Sequence, residues 1–271
     1  MDTQRIAALP MYDFPELESD HEALWAHMAR GLVEAGIPNV PERLTRNLGH
    51  FDLWRHPNLL LAQGCEYPLA TECTGAVRLV ATPRYTAQGC DGGLYRSAIV
   101  VREGEAARSL ADMRGRRCAV NERNSNSGMN LLRAAVAPLA GGGRFFGSVQ
   151  FSGSHRRSLE LVADGLADLA AIDCVTLAHL QRFVPNRAAS LRILSWTEAS
   201  PSLPFVTSSA TDDATLRTLR SALAAAIEEP SLAPARERLL IEGFDFEPGD
   251  SFTEVLRLAR LAAELRYPTL L

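Results

Sequence analysis

No apolar run in this sequence approaches the roughly 18–20 residues needed to cross a bilayer, so membrane insertion is not expected. A basic block or Arg/Lys stripe is also missing. The 271 residues carry a net charge of −4 with both signs mixed along the chain, which leaves no electrostatic footprint for nucleic acid or an anionic membrane surface. Cysteine is scarce and unpatterned. The five (Cys65, Cys73, Cys90, Cys118, Cys174) are odd in number and show no CxxC or Cys/His metal spacing. Cys118 and Cys174 sit in or beside apolar runs, where a free thiol behaves as a small hydrophobe, so reduced thiols are expected. The N-terminal stretch MDTQRIAALPMYDFPE lacks the basic segment followed by a long apolar one that marks a secretory signal. Together these predict a cytoplasmic location, or a periplasmic one if a signal has been removed. Catalytic signatures are absent as well: no GxSxG elbow, no HExxH helix, no GxxxxGKS/T loop and no GxGxxG turn after a strand. No metal or organic cofactor is implied.

What the chain does have is an ordinary globular composition, 46% hydrophobic and 22% charged, at a length that usually divides into two lobes. Short apolar runs alternate with helical patterns. Strands are expected at 5–12, near 43–46, at 58–63, 77–83, 94–102, 118–120, 145–151, 166–172, 191–197 and 204–207. The main helices are expected at 19–35, with Ser19 and Glu22 as a capping box and Gly36 as the stop, then from Ser127 to near Pro138, at 154–164, 175–183, from 212 onward, 233–242 and 252–266. Alternating strands and helices joined by short loops predict an α/β protein with mainly parallel sheets covered on both faces. Ligands of such sheets bind beyond the carboxyl ends of the strands. Those ends collect Tyr12, Gln63 with Tyr67, Asn121–Ser127, Ser152–His155 and Asp173.

The stretch CAVNERNSNSGMNLLRAAVAPL (118–139) is the centre of this reading. A short strand delivers a Ser/Asn-rich loop onto a helix N-terminus, where unpaired amides and the positive end of the helix dipole favour an anion. Asn124, Ser125, Ser127 and the amides of Gly128 and Met129 are candidates to hold the oxygens of a phosphate, phosphonate or sulfonate, with plain capping as the alternative. Ser154 is read as a helix cap and His155 as a donor to the ligand. Asp173 ends an apolar strand, so it either accepts from a ligand or caps the next helix. Tyr12 and Tyr67 either flank a ligand or belong to the core. His155 and Asp173 could form an acid–base pair, but no nucleophile or metal set accompanies them.

The run GRRCAVNERNSNSGMNLLRAAVAPLA, followed by FSGSHRRSLELVADGLADLAAIDCVT, resembles the phosphate/phosphite/phosphonate substrate-binding proteins of ABC transporters. LLLAQGCEYPL, VRLVATPRY and YRSAIVVR add to the likeness, which covers roughly residues 5 to 207. It implies the type II periplasmic-binding-protein fold. Lobe one would be 1–100 plus 202–271 and lobe two 101–201, with the ligand cleft between them and crossover strands near Val100–Arg102 and Thr197–Pro201. It further implies a binding protein, not an enzyme, that closes on a small anionic ligand as a monomer or weak dimer, with an ABC permease as the possible partner. The site transferred from it comprises Tyr12, Gln63, Tyr67, Asn124, Ser125, Ser127, Gly128, Met129, Ser154, His155 and Asp173. The runner-up is a cytosolic enzyme on the same fold, resembling menaquinone- or thiamine-pathway enzymes, or a ligand-sensing protein. The loop carries more asparagine than the family pattern, which leaves the identity of the anion open.

Overall fold

The structure, a computed structural model, describes residues 4–247, 249 and 251–270. The chain opens with β1 (Ile6–Ala8), α1 (Glu18–Glu34), β2 (Leu59–Gln63) and β3 (Val77–Tyr85). It continues through β4 (Ser97–Arg102), β5 (Arg117–Val120), α2 (Leu131–Ala140), β6 (Ser148–Phe151), α3 (His155–Ala163), β7 (Leu169–Asp173), α4 (Cys174–Phe183) and β8 (Leu191–Trp196). The last part holds β9 (Phe205–Ser208), α5 (Asp213–Glu228), α6 (Ala233–Leu239), β10 (Ile241–Asp245) and α7 (Ser251–Glu264).

These elements form two compact units: Met1–Thr86 with Pro201–Asp250, and Ala87–Ser200 with Ser251–Leu271. The division differs from the expected lobes in two places. A boundary at residue 100 leaves most of the run 94–102 in lobe one, but β4 pairs antiparallel with both β7 and β8 and so lies inside the second sheet. The C-terminal helix was placed there too, but Asn130 Nδ2 donates to the Val255 carbonyl at 3.4 Å and Arg133 Nη1 to the Pro268 carbonyl at 2.7 Å, tying it to the second unit.

In the first unit the sheet order is β1-β2-β9-β3-β10. β1 and β2 are parallel, and β9 is antiparallel to both β2 and β3. β10 is antiparallel to β3 on the far edge. The run LLLAQ is buried at every position, as expected of a strand covered on both faces. α1 covers this unit with Leu24, Trp25, Met28 and Leu32, one helical face in sequence, and each such side chain gains about 1.5–3 kcal/mol on burial. Its start differs from expectation. A 3-10 turn at Pro15–Leu17 runs straight into the helix, which places Ser19 inside the first turn, and Glu22 pairs with Arg46 and does not complete a capping box. Gly36, at φ 82°, does end it. Residues 43–46 form no strand, and 240–242 turn out of helix into β10.

In the second unit the order is β6-β5-β7-β4-β8, with β5 parallel to β6 and β7 and only β4 opposed to its neighbours. The helix after β5 runs through Pro138 to Ala140 and stops at Gly141, whose φ of 65° suits glycine. Among the described residues no helix is long and apolar enough to cross a membrane.

Candidate anion cradle at the start of α2

Two loops meet beyond the carboxyl ends of the parallel strands β5 and β6. The backbone stitches them together: Ser152 N donates to Val120 O at 2.8 Å, and Gly153 N donates to Asn121 O at 2.9 Å. The first loop does not enter α2 directly. It passes through a single π-helical turn, Asn126–Asn130, in which Asn130 N donates to Ser125 O at 3.0 Å. This wider turn moves the cap from the expected Ser127 back to Ser125, whose Oγ accepts from Gly128 N at 3.0 Å. The Gly128 amide is therefore engaged within the protein, leaving it unavailable as the ligand donor the sequence suggested.

The shift frees Ser127 for another role. Its Oγ lies 2.7 Å from His155 Nε2 and 3.4 Å from Ser125 Oγ, and its carbonyl accepts from the buried Ser97 Oγ at 2.9 Å. Both serines are 6% exposed. Gly128 is required for a steric reason. A Cβ there would overlap Asn121 Oδ1 and stand 2.9 Å from Asn121 Cγ and 3.1 Å from His155 Cε1. Asn121, Ser125, Ser127, Gly128 and His155 thus form one close-packed polar cluster. Among the described residues, Asn121 Oδ1 and His155 Nδ1 are buried there without a hydrogen-bond partner. Burial pushes the pKa of His155 down to about 4, against a smaller upward push from the Ala171 carbonyl. The imidazole is neutral at neutral pH, so the cluster offers hydroxyls, an amide side chain and an uncharged ring, with no formal cation.

Four other predicted residues take supporting places in this unit. Ser154 caps α3, its Oγ accepting from Arg157 N at 3.1 Å. Asp173, 2% exposed, caps α4 by accepting from Thr176 N at 2.9 Å; of its two alternatives, the structure displays the cap. Asn124 sits half-buried in the turn before Ser125, and the Met129 side chain is buried.

The first-unit candidates form a cluster of their own. Gln63 is 2% exposed; its Nε2 donates to Tyr85 Oη at 2.7 Å and to Leu203 O at 3.2 Å. Tyr12 packs edge-on to Tyr85 with ring centroids 5.4 Å apart. With His21 and Phe205 they line a cavity of about 10 Å³, the volume of a single water and far below that of an organic anion. Tyr12 and Gln63 are core residues of this unit. Tyr67 is half-buried on the short helix Glu66–Thr71.

Sequence reasoning took in Asn126 only as part of the loop 121–127 and did not pick out Asn130, its partner beside the candidate cradle. Asn126, 1% exposed, donates from Nδ2 to Tyr95 Oη at 3.1 Å and Ser200 Oγ at 2.9 Å, and its Oδ1 accepts from Asn130 Nδ2 at 2.9 Å. Asn130 Oδ1 in turn accepts from Arg133 Nη2 at 2.8 Å. The i, i+4 spacing of the two asparagines, beside a buried helix face, was the available signal. Among the described residues no group of three or more His, Cys, Asp or Glu is placed to hold a metal ion.

Several solved structures share this fold. The PhnD1 protein of Prochlorococcus marinus, in complex with methylphosphonate, matches with a TM-score of 0.75 at 14% identity, over 96% of this chain and 98% of that one. A binding protein component of an ABC phosphonate transporter from Pseudomonas aeruginosa matches at 0.74 and 14%, over 97% and 88%. A Xanthomonas citri protein bound to chloride ion matches at 0.73 and 18%, over 98% and 99%. These likenesses establish the two-lobed periplasmic-binding-protein fold. No curated protein matches the chain. The profile of the family described as "ABC transporter, phosphonate, periplasmic substrate-binding protein" matches residues 6–248, from the first strand past the last. With that match, the chain belongs to the periplasmic phosphonate substrate-binding proteins of ABC transporters, whose work is to bind a solute.

Proposed function

We propose that the solute is a small phosphonate- or phosphate-like oxyanion, held at the cluster where α2 begins. The observation that carries this reading is the line Ser125 Oγ, Ser127 Oγ and His155 Nε2, with successive separations of 3.4 and 2.7 Å, buried at a helix start. Hydroxyls can turn their protons toward an incoming oxygen, and the helix end adds a positive potential without a fixed cation. Selection by neutral donors suits a tetrahedral oxyanion that arrives with its own protonation state and must later be released. Ser125, Ser127 and the Met129 amide are the proposed contacts to oxygen. His155 orients Ser127, and Asn121 closes the side next to Gly128. Binding without turnover, as a monomer or weak dimer that delivers to an ABC permease, completes the proposal.

The Ser127–His155 contact also favours a second reading, a hydrolytic pair. Against it, no carboxylate partners His155 Nδ1, the position that orients the base in Ser–His–acid sites. The experiment is a thermal-shift and calorimetric screen of ligand-stripped protein against phosphate, phosphite, methylphosphonate, aminoethylphosphonate, sulfate and small carboxylates. A phosphorus oxyanion should raise the melting temperature and be recovered unchanged. Ser127→Ala should weaken its binding about 10–100-fold, the loss of one hydrogen bond to a charged group. Unaltered affinity in that variant would remove the cradle assignment, and turnover abolished by His155→Ala would favour the enzyme.

A further inference from the structure

The second unit holds a pair of thiols that solute binding leaves unused. Cys90 Sγ lies 3.4 Å from Cys174 Sγ, although the two residues are 84 apart in sequence, and no disulfide joins any of the five cysteines among the described residues. Their surroundings fix the approach. Cys174 is the first residue of α4, immediately after Asp173, and is 2% exposed; its amide donates to Arg96 O at 3.1 Å. Cys90 is half-buried in a turn closed by its own amide, which donates to Ala87 O at 3.0 Å. Gly89 makes that turn possible in two ways. Its φ is 103°, and a Cβ there would stand 2.7 Å from Trp196 Cζ3 and 3.1 Å from Cys174 Cβ. The turn carrying Cys90 is therefore pressed against Cys174 with room only for hydrogen between them.

We propose that Cys90 and Cys174 are a disulfide-forming pair, oxidised by thiol–disulfide exchange with a small-molecule disulfide such as oxidised glutathione. A disulfide needs an S–S distance of about 2.0 Å, so the sulfurs close by roughly 1.4 Å more from their present separation. Rotation about the two Cα–Cβ bonds supplies movement of that size. Cys90 reacts first, because it is the more exposed. The hydrogen bond with Cys90, then burial and the Asp173 charge, push the Cys174 thiol well above its ordinary range.

The Cys90 thiolate attacks one sulfur of oxidised glutathione. A Cys90–glutathione bond forms, and the departing glutathione thiolate takes up the proton that Cys90 released. Cys174 then loses its proton and attacks the Cys90 sulfur; the Cys90–Cys174 bond forms and the second glutathione leaves as a thiol. Two protein thiols are oxidised, and one glutathione disulfide is reduced to two thiols. The family is periplasmic, a compartment in which disulfides form and persist. The bond would fasten the turn at 87–90 to the first residue of the helix that Asp173 caps.

The test is incubation of the full chain with excess oxidised glutathione, followed by unfolding, alkylation, peptide mapping and a melting curve. We expect three alkylated cysteines (Cys65, Cys73, Cys118), a cross-linked peptide pair containing Cys90 and Cys174, and a melting temperature raised by about 5 °C or more. Cys174→Ser should stop at a glutathione adduct on Cys90, and Cys90→Ser should leave Cys174 unmodified. Five alkylated cysteines, a wild-type chain that stops as the Cys90 adduct, or a cross-link through another cysteine would each overturn the proposal. The outcome does not depend on which solute the protein binds.

Discussion

His155 should make the protein's stability depend on pH in a window where few other groups act. Its folded pKa is about 4, whereas an unburied imidazole takes its proton near 6.5. Between those values the unfolded chain holds the proton and the folded chain does not, so stability falls as pH drops from about 6.5 to about 4 and levels off below. The separation is roughly 2.5 pH units at about 1.36 kcal/mol each, an upper limit of about 3 kcal/mol. The residue as a whole is only half-buried, and water reaching it reduces this to about 2 kcal/mol. His155→Gln keeps a side chain able to meet Ser127 but cannot titrate. Urea unfolding of both proteins at about pH 7 and about pH 4.5 isolates the effect as the difference between their losses. The wild type should lose about 2 kcal/mol more than the variant over that interval. Parallel losses would refute the reasoning, because they would mean that the imidazole is solvated as freely in the folded chain as in the unfolded one.

Three further outcomes follow from the same unit. Asn126→Ala removes three hydrogen bonds from a position 1% exposed, and calorimetry should record a loss of about 3 kcal/mol, or roughly 6–12 °C in melting temperature. Asp168 is held at a pKa of about 2, first by its side-chain hydrogen bonds to Arg117, at 2.8 and 3.1 Å, and then by the Arg117 amide and the nearby Arg102 charge. Its contribution is present above the ordinary carboxylate pKa near 3.9 and is lost as pH falls through about 2. Asp168→Asn should therefore cost about 2 kcal/mol at neutral pH, with the gap to wild type closing in strong acid, read by denaturant titration. Gly128→Ala forces the Asn121 side chain out of the cluster while adding helix propensity worth up to about 1 kcal/mol. Stability should change little while phosphonate affinity falls about tenfold, as isothermal titration would measure.

How far the sequence could carry these conclusions depends on whether the deciding contact was local. The fully apolar run LLLAQ identifies β2 without its neighbours, and Gly36 ends α1 through its own backbone freedom. The cradle loop was likewise visible, because strand, Ser/Asn loop and helix follow one another directly. β10 begins where the helix expected over 233–242 would end. IEGFD carries two charged residues and a glycine after the helical pattern of α6, and it becomes a strand because β3 offers an edge, with Ile241 opposite Tyr85 and Asp245 opposite Thr82. The same cause moved the lobe boundaries. LYRSAIVVR reads as a strand in either lobe, and its membership is decided by partners at 169–173 and 191–196, far away in sequence.

The site residues divide along the same line, with one complication. A buried polar side chain at a strand end must satisfy its hydrogen-bonding groups, and the fold often supplies the partner before any ligand can. Gln63 finds Tyr85 and the Leu203 carbonyl, Asp173 finds the Thr176 amide, and the Gly128 amide finds Ser125. Each has the residue type and position of a ligand contact, yet its donor or acceptor is already engaged. Ser127 differs because the π turn carries the cap one position past it, to Ser125, and leaves its hydroxyl to His155. That extra residue in the turn has no signature in composition or spacing. In that turn Gly128 packs against Asn121, where any larger side chain would overlap. The close approach of the Ser125–Ser127 turn to Asn121 and His155 thus depends on the absence of one methyl group at Gly128, which only the folded chain reveals.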